Sequence, residues 1–419
     1  MAVKSTITCD MEGVIETFNA GAEEVFGYSK EEVIGKKRVS LFSPGHIVLQ
    51  NVEGWLAAAA KDGEYVTDTI FVRKNGEEFS ARIRVSPTFR DGKQIGFCGV
   101  TEPLDKPVQV PIKLSTKIIS WLVVTRAPFL SAAILPAIIG MIYAQSLAPA
   151  VPTVATAMDM VLGVLGVVFL HLAANVYNDY FDAKSGTDEA NTSYFLKYSG
   201  GSRAIELRLI TVEGTFRLAT ILALIALGMG VYLSSRIGTG IYLFGALGLL
   251  SGFFYTAPPL RLVARHGLGE LFIGLTFGPL ITAGMVYVVT AQMPELGFLL
   301  GIPPGLLTSN ILLINQVPDA DSDATTGKNH LVVTFGKKAT PGIYLATVLG
   351  AAVMTFVLAS MLDNVYLYAP GALALIGGFR IYQHMRVHLF ERSLVSSNVN
   401  TIALQAVFSI LFIVALLLK

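Results

Sequence analysis

From about residue 118 to the end, the chain alternates long apolar runs with short polar breaks. The runs fall at approximately 118–144, 157–178, 214–234, 239–256, 270–291, 296–317, 341–362, 365–385 and 400–418. Each approaches the roughly 20 residues that a helix needs to cross a bilayer. A soluble core can bury one or two such helices, but nine in succession predict an α-helical polytopic membrane domain over residues 118–419. The first quarter has another rhythm. Segments 65–73, 77–87 and 94–101 alternate apolar and polar positions, the period of half-buried strands. Asn75-Gly76 and Asp91-Gly92 are hairpin signals between them, and Asp10-Met-Glu-Gly13 marks an earlier turn. With a helical middle, these strands predict an α+β domain over residues 1–105. Residues 106–117, carrying Pro107 and Pro111, read as a stiff linker.

Composition sharpens the division. The chain is 53% apolar and 15% charged, with a mean hydropathy of +0.60; soluble domains usually carry about 25% charge. Residues 1–117 hold 15 Lys/Arg and 16 Asp/Glu, half of all the charges in little over a quarter of the length. A single soluble domain and a disordered chain are excluded. A net charge of +1 gives no bulk field for nucleic acid. Cys9 and Cys98 are too few for a disulfide framework or a thiolate metal cage. The polar start, Met1–Asp10, is no signal peptide, so the N-terminal segment is expected in the cytoplasm, with the remainder multi-pass in the inner cell membrane. Loop charges agree. With that segment inside, the inner loops carry thirteen Lys/Arg, Lys197 among them, against Arg236 alone outside.

Acids are scarce in the membrane region, which makes their placement informative. The second run ends in Asn175-Val-Tyr-Asn178-Asp179-Tyr-Phe-Asp182, with Asp188 beyond. The sixth ends in Asn315-Gln-Val-Pro318-Asp319-Ala-Asp321-Ser-Asp323, followed by Gly327-Lys328. Spacings of three and four put each pair on one helix face. Like charges so placed repel unless a cation lies between them, and oxygen-only ligands favour Mg2+, which completes its shell with water and substrate phosphate. Both clusters fall on the same side of the membrane. Solvated loop acids would account for a single such pair, but not for two clusters that end two helices on the same face, each preceded by Asn inside an apolar helix, because polar groups within membrane helices are costly and usually functional.

These strings, NDYFDAKSGTD at 178–188 and PDADSDATTGK at 318–328, resemble the paired aspartate motifs of the UbiA superfamily of intramembrane prenyltransferases. Tyr255-Thr-Ala-Pro-Pro-Leu-Arg261, Gly269-Glu270, Phe277-Gly-Pro279 and Arg126-Ala-Pro128 resemble the same family. Within it, Gly186-x-Asp188 and Gly200-Gly-Ser-Arg203 are similar to the 1,4-dihydroxy-2-naphthoate branch of menaquinone biosynthesis. The third acid of other branches would fall at Gly186 and is absent, which counts against a 4-hydroxybenzoate enzyme. Enzymes for other aromatics or glycerol phosphate share much of the pattern. The resemblance implies a helical bundle around a cavity open to the bilayer. It also implies a prenyltransferase taking a polyprenyl diphosphate and an aromatic acceptor. Asp179, Asp182, Asp319 and Asp323 would hold Mg2+, with Lys328 and Arg261 toward the departing diphosphate. Asn175, Asn178 and Arg203 are further substrate-side candidates. Tyr255 faces the allylic cation or belongs to an interfacial belt; Arg126 holds the acceptor carboxylate or anchors the helix. His171, one turn before Asn175, reads as packed in the bundle.

Between Gly13 and Gly35, Asn19-Ala, Phe26-Gly-Tyr28 and Glu31-Glu-Val-Ile-Gly35 resemble a PAS sensor domain, as does Arg73-Lys-Asn-Gly76. Such a domain implies regulation and is a candidate dimerisation surface. The cysteine motif of light-sensing flavin relatives is missing, and His46 is a lone loop histidine, so no PAS cofactor is assigned and its ligand is unknown. The competing class is a PAS-controlled transporter or membrane sensor with the acids as a cation path. A path needs polar groups through the bilayer depth, whereas these carboxylates gather at one mouth.

Overall fold

The structure is a computed structural model that describes residues 4–148, 150–191, 194–195 and 199–419. Lys197 therefore lies outside the described residues. The chain forms two compact units. One comprises Met1–Val124 with Ser202–Thr211, the other Thr125–Gly201 with Val212–Lys419.

The N-terminal unit is built on an antiparallel sheet of β1 (Ser5–Asp10), β2 (Ile15–Phe18), β3 (Tyr65–Val72), β4 (Glu78–Arg90) and β5 (Lys93–Pro103), in the order β2-β1-β5-β4-β3. Its turns follow local chemistry. Asp10 Oδ1 accepts from the backbone of Glu12 and Val14 at 2.8 and 2.9 Å. Asp91 and Gly92 are both left-handed, the pairing a two-residue hairpin requires. Asn19 has two tasks: its side chain accepts from Ala22 N, capping α1 (Ala20–Phe26), and from Thr6 N, tying that helix to β1. Ile7, Ile15, Phe26, Phe42 and Phe71 fill the core beneath. Burial pushes the Cys9 thiol up to about 11, so it stays protonated and inert at neutral pH. Helix α2 (Glu53–Asp62) packs on β4. The segment Ser202–Thr211 also belongs here: Gly45 packs tightly on Leu207 and Leu209, and Arg208 Nη2 lies 3.5 Å from the Arg73 carbonyl.

The first apolar run does not form one continuous helix. It divides into α3 (Leu114–Val124), which belongs to the N-terminal unit, and α4 (Ala127–Ser146). Between them Arg126 is left-handed, a conformation no α-helix interior holds, and Pro128 in the next turn lacks the N–H that continuity needs. On the α3 side Gln50 anchors the chain by accepting from Lys113 N and Thr116 Oγ1 at 3.1 and 2.7 Å.

The membrane unit continues with α5 (Ala157–Lys184), α6 (Val212–Ile237), α7 (Gly240–Phe254), α8 (Leu268–Thr290), α9 (Glu295–Thr325), α10 (Lys337–Met361), α11 (Val365–His388) and α12 (Arg392–Leu417). Among the described residues, eight of the nine from α4 onward are long and apolar enough to cross a membrane. The exception is α7, whose 15 residues span about 22 Å; Pro258 and Pro259 follow close behind its end and forbid extension. Helix α9 is the most enclosed. Gly301 and Gly305 let it approach Gly274 and Gly278 of α8 backbone to backbone. Asn315 accepts from Asn398 of α12 at 2.7 Å, so this asparagine joins helices.

Candidate active site

Helix α5 delivers Asp179 and Asp182, and helix α9 delivers Asp319 and Asp323, each pair within its last two turns. Asp179, Asp182 and Asp323 are buried, at 4, 7 and 4% exposure. Every one of the four is met by a partner, and the partners interlock the motifs.

On the first motif the partners are cations. Arg126 Nη2 donates to Asp179 Oδ1 at 2.5 Å, and Lys328 Nζ donates to both oxygens of Asp182 at 3.1 and 2.9 Å. Lys328 lies in the turn after α9, so the second motif's own tail clamps the first. Thr187 Oγ1 and Thr326 Oγ1, 3.3 Å apart, repeat the link. Burial alone would lower the Lys328 ammonium, but the carboxylates of Asp182 and Asp323 outweigh it and hold its pKa above the ordinary lysine value.

On the second motif the partners are neutral. Asp319 accepts from Asn191 Nδ2 at 2.7 Å, Ser199 Oγ at 3.0 Å and Gly200 N at 2.8 Å. Asp323 Oδ2 lies 3.0 Å from His330 Nε2. Because His330 Nδ1 accepts from Val333 N, the proton belongs on Nε2, and the imidazole donates to Asp323 as a neutral group.

The glycine pair Gly200-Gly201 touches both motifs, Gly200 through its bond to Asp319. Gly201 has φ +81°. A Cβ there would stand 3.1 Å from Arg126 Nη2, 3.2 Å from Asp188 Oδ1 and 3.3 Å from Asp179 Oδ1. A side chain there would be strained by the left-handed conformation and would crowd these three side-chain ends. Asp188, beyond the first helix, thus reaches the Asp179 side of the site.

The remaining candidates divide. Tyr255 sits among the charges of Glu270, Lys328, Asp182 and Asp323. Asn175 donates to the His171 carbonyl one turn back at 3.2 Å, and Asn178 is half-buried. Arg261 is left-handed, with its backbone N–H on Ala257 O; among the described residues no hydrogen bond joins its side chain to the four aspartates. Arg203 belongs to the N-terminal unit, where it pairs with Glu206 at 3.2 Å. Asp321 points elsewhere and pairs with Lys337 at the surface.

Sequence reasoning passed over His330, Asn191 and Ser199, none of which stands inside an acid string. It also gave Glu270 no task. Glu270 Oε1 accepts from Leu331 N at 2.9 Å, and its carbonyl accepts from Ser309 Oγ. With His266 N on Asn329 O, this staples down the turn that presents Lys328 and His330.

Among the described residues, no three His, Cys, Asp or Glu side chains converge closely enough to hold an ion unaided. The donor set is nevertheless all oxygen from two facing helices. That fits a hard cation such as Mg2+, which takes one or two carboxylates and fills the rest of its octahedron with water and phosphate oxygens.

Aspartates buried at one mouth of a membrane bundle, each matched to a cation or donor, define a membrane-embedded enzyme that handles a charged group. The UbiA prenyltransferase family model matches residues 133–405, and a PAS domain model matches residues 3–102. The chain belongs to the UbiA prenyltransferase family: it is a multi-pass membrane prenyltransferase with an N-terminal PAS domain. It is 25% identical over 240 residues to the 1,4-dihydroxy-2-naphthoate octaprenyltransferase of Bacillus subtilis, covering 56% of this chain and 75% of that one. It is 30% identical over 192 residues to the Mycobacterium tuberculosis protein of the same name, covering 46% and 63%. A solved UbiA homologue from Archaeoglobus fulgidus, bound to GPP and Mg2+, shares the fold with a TM-score of 0.54 at 16% identity. That likeness covers 71% of this chain and 98% of the other.

Proposed function

We propose that the protein transfers a polyprenyl group from its diphosphate to 1,4-dihydroxy-2-naphthoate, with Mg2+, at the cytoplasmic face of the inner membrane. The observation that carries this reading is the interlocking of the two acid motifs, Lys328 on Asp182 and Gly200 N on Asp319. The names of its relatives point to the acceptor. Asp179, Asp182, Asp319 and Asp323 would hold the ion. When bound, Mg2+ neutralises the diphosphate and makes it a better leaving group. Lys328, protonated and seated between the motifs, supplies a point charge to the same anion, and Arg261 is the second basic candidate. The C1–O bond breaks with its electrons leaving on the diphosphate. The ring face of Tyr255 stabilises the allylic cation that remains. The ring carbon that bears the carboxylate gives C1 an electron pair, and the carboxylate, received by Arg126, departs as carbon dioxide while the electrons of its C–C bond restore the aromatic ring.

The PAS domain regulates this step through Ser202–Thr211. That segment follows Gly200-Gly201 directly in the chain, and it packs with the PAS fold through Leu207, Leu209 and Arg208. A shift in the PAS fold therefore pulls on the glycine pair that touches both motifs. The test is to incubate purified protein with prenyl diphosphates and, separately, 1,4-dihydroxy-2-naphthoate, 4-hydroxybenzoate and glycerol phosphate, and to identify products by mass spectrometry. A decarboxylated, prenylated naphthalenediol is the expected product. Transfer only to another acceptor would overturn the acceptor assignment, and no transfer to any would overturn the reading.

A further inference from the structure

His171 stands on α5 eight residues before Asp179, about 12 Å deeper along the helix. Its side chain is packed in the bundle, as the sequence suggested, at 7% exposure. Yet among the described residues neither ring nitrogen has a hydrogen-bond partner. A neutral imidazole offers one donor and one acceptor, and burial without partners carries a penalty that native proteins rarely leave uncompensated.

Two neighbours suggest what compensates it. The Phe277 ring meets the imidazole edge to face, centroids 5.1 Å apart at 85°, which fixes the plane in which the nitrogens point. The guanidinium of Arg126 is the charged group whose field reaches it. Arg126 gives Nη2 to Asp179, but its own Nε is buried and unpartnered. An arginine at the first acid pair and a histidine two turns deeper, the latter beside an aromatic wall, thus both carry unpartnered buried nitrogens among the described residues.

We propose that His171 is an acceptor-binding residue that selects aromatic acids bearing a hydroxyl ortho to the carboxylate. Arg126 Nε–H receives the carboxylate and the imidazole hydrogen-bonds the adjacent hydroxyl. Both groups sit on one edge of such a ring, so one acceptor can address both side chains at once. In a para-hydroxy acid the hydroxyl lies across the ring and leaves the imidazole unpaired, and sites built around a substrate hydroxyl reject ligands that lack it there. The inference rests on the naphthoate reading above and adds its specificity element.

The experiment compares wild type, His171→Leu and His171→Gln, all full-length in the membrane. KM is measured for prenyl diphosphate and for 1,4-dihydroxy-2-naphthoate. Two non-reactive competitors, 1-hydroxy-2-naphthoate and 2-naphthoate, differ only in the ortho hydroxyl. Wild type should favour the hydroxylated competitor by about tenfold. In His171→Leu that preference should vanish and the acceptor KM rise by a similar factor, with the prenyl diphosphate KM unchanged. His171→Gln, which keeps a donor and an acceptor, should recover most of the preference. A packing role or a bound water predicts otherwise: the preference survives in His171→Leu, or both KM values move together. Either result overturns the proposal. Should His171→Leu fail to insert, the competitor preference of His171→Gln and wild type still decides, because a wild type that binds both naphthoates equally refutes it. Wild type that turns over no naphthoate at all refutes the proposed function, and this inference with it.

Discussion

The two acid motifs look alike in the sequence and are kept in opposite ways. Asp179 and Asp182 are paired with a guanidinium and an ammonium, whereas Asp319 and Asp323 are held by an amide, a hydroxyl, a backbone N–H and a neutral imidazole. The first motif is charge-compensated by side chains that an anionic substrate can recruit. The second meets only neutral donors, which orient its carboxylates without supplying a counter-charge. On the proposed reading, a diphosphate with its cation would meet two cations on one wall and two oriented carboxylates on the other. Burial of all these charges is tolerable because none stands alone.

The comparison breaks most visibly at Lys328. Lys328→Gln leaves Asp182 buried without its counter-charge, and losing one partner of such a pair costs about 3–5 kcal/mol. We expect a lower melting temperature together with a rise of tenfold or more in the prenyl diphosphate KM; wild-type behaviour in both would remove Lys328 from the site. The sign of its titration also follows. The folded-state pKa is raised, so its contribution is complete below the ordinary lysine value of 10.5 and fades only as pH climbs through the higher folded value. Turnover between pH 7 and 9 should show no alkaline limb from this group.

Gly201→Ala tests the glycine turn between the walls. A Cβ at φ +81° meets Arg126, Asp188 and Asp179 at 3.1–3.3 Å, and left-handed strain adds about 1 kcal/mol. Turnover should fall about tenfold with the melting temperature little changed.

His330→Gln sharpens the contrast, since it exchanges one neutral donor for another. It should retain turnover within about threefold, where Lys328→Gln does not. An equally severe loss would mean that His330 acts as a cation and that the walls are alike. The smallest effect belongs to Asp321→Asn. Its carboxylate is 88% exposed and pairs with Lys337 at the surface, so activity should be indistinguishable from wild type.

Much of this was legible beforehand because its physics is local. The strands β3–β5 appear within a few residues of their alternating segments, since period and turn chemistry act over a handful of positions. The four aspartates were legible as pairs because helical spacing sets their face. What escaped was long-range. Nothing near Asp319 in sequence announces Asn191 or Ser199, more than a hundred residues away, and Glu270 reveals its task only when Leu331 is brought to it. Hydropathy also overran the first span, because Ile118, Trp121 and Leu122 are apolar enough to join a membrane run, and only the left-handed Arg126 shows where the helix stops. Glycine is no guide by itself either: Gly140 and Gly163 are close-packed, but Gly166, Gly228 and Gly230 meet no neighbour within 4 Å among the described residues.

The central claim is that the two differently kept motifs act as one unit on one metal–diphosphate group. A double-mutant cycle on Mg2+-dependent prenyl transfer, using Asp179→Asn, Asp319→Asn and the pair together, tests it directly. Each single variant removes a charge while nearly keeping side-chain size, so insertion should survive. If the motifs share one task, each variant should lose at least about a hundredfold in turnover, and the double should be little worse than either alone. Losses that multiply, or near-normal metal-independent transfer by either single variant, would contradict the account.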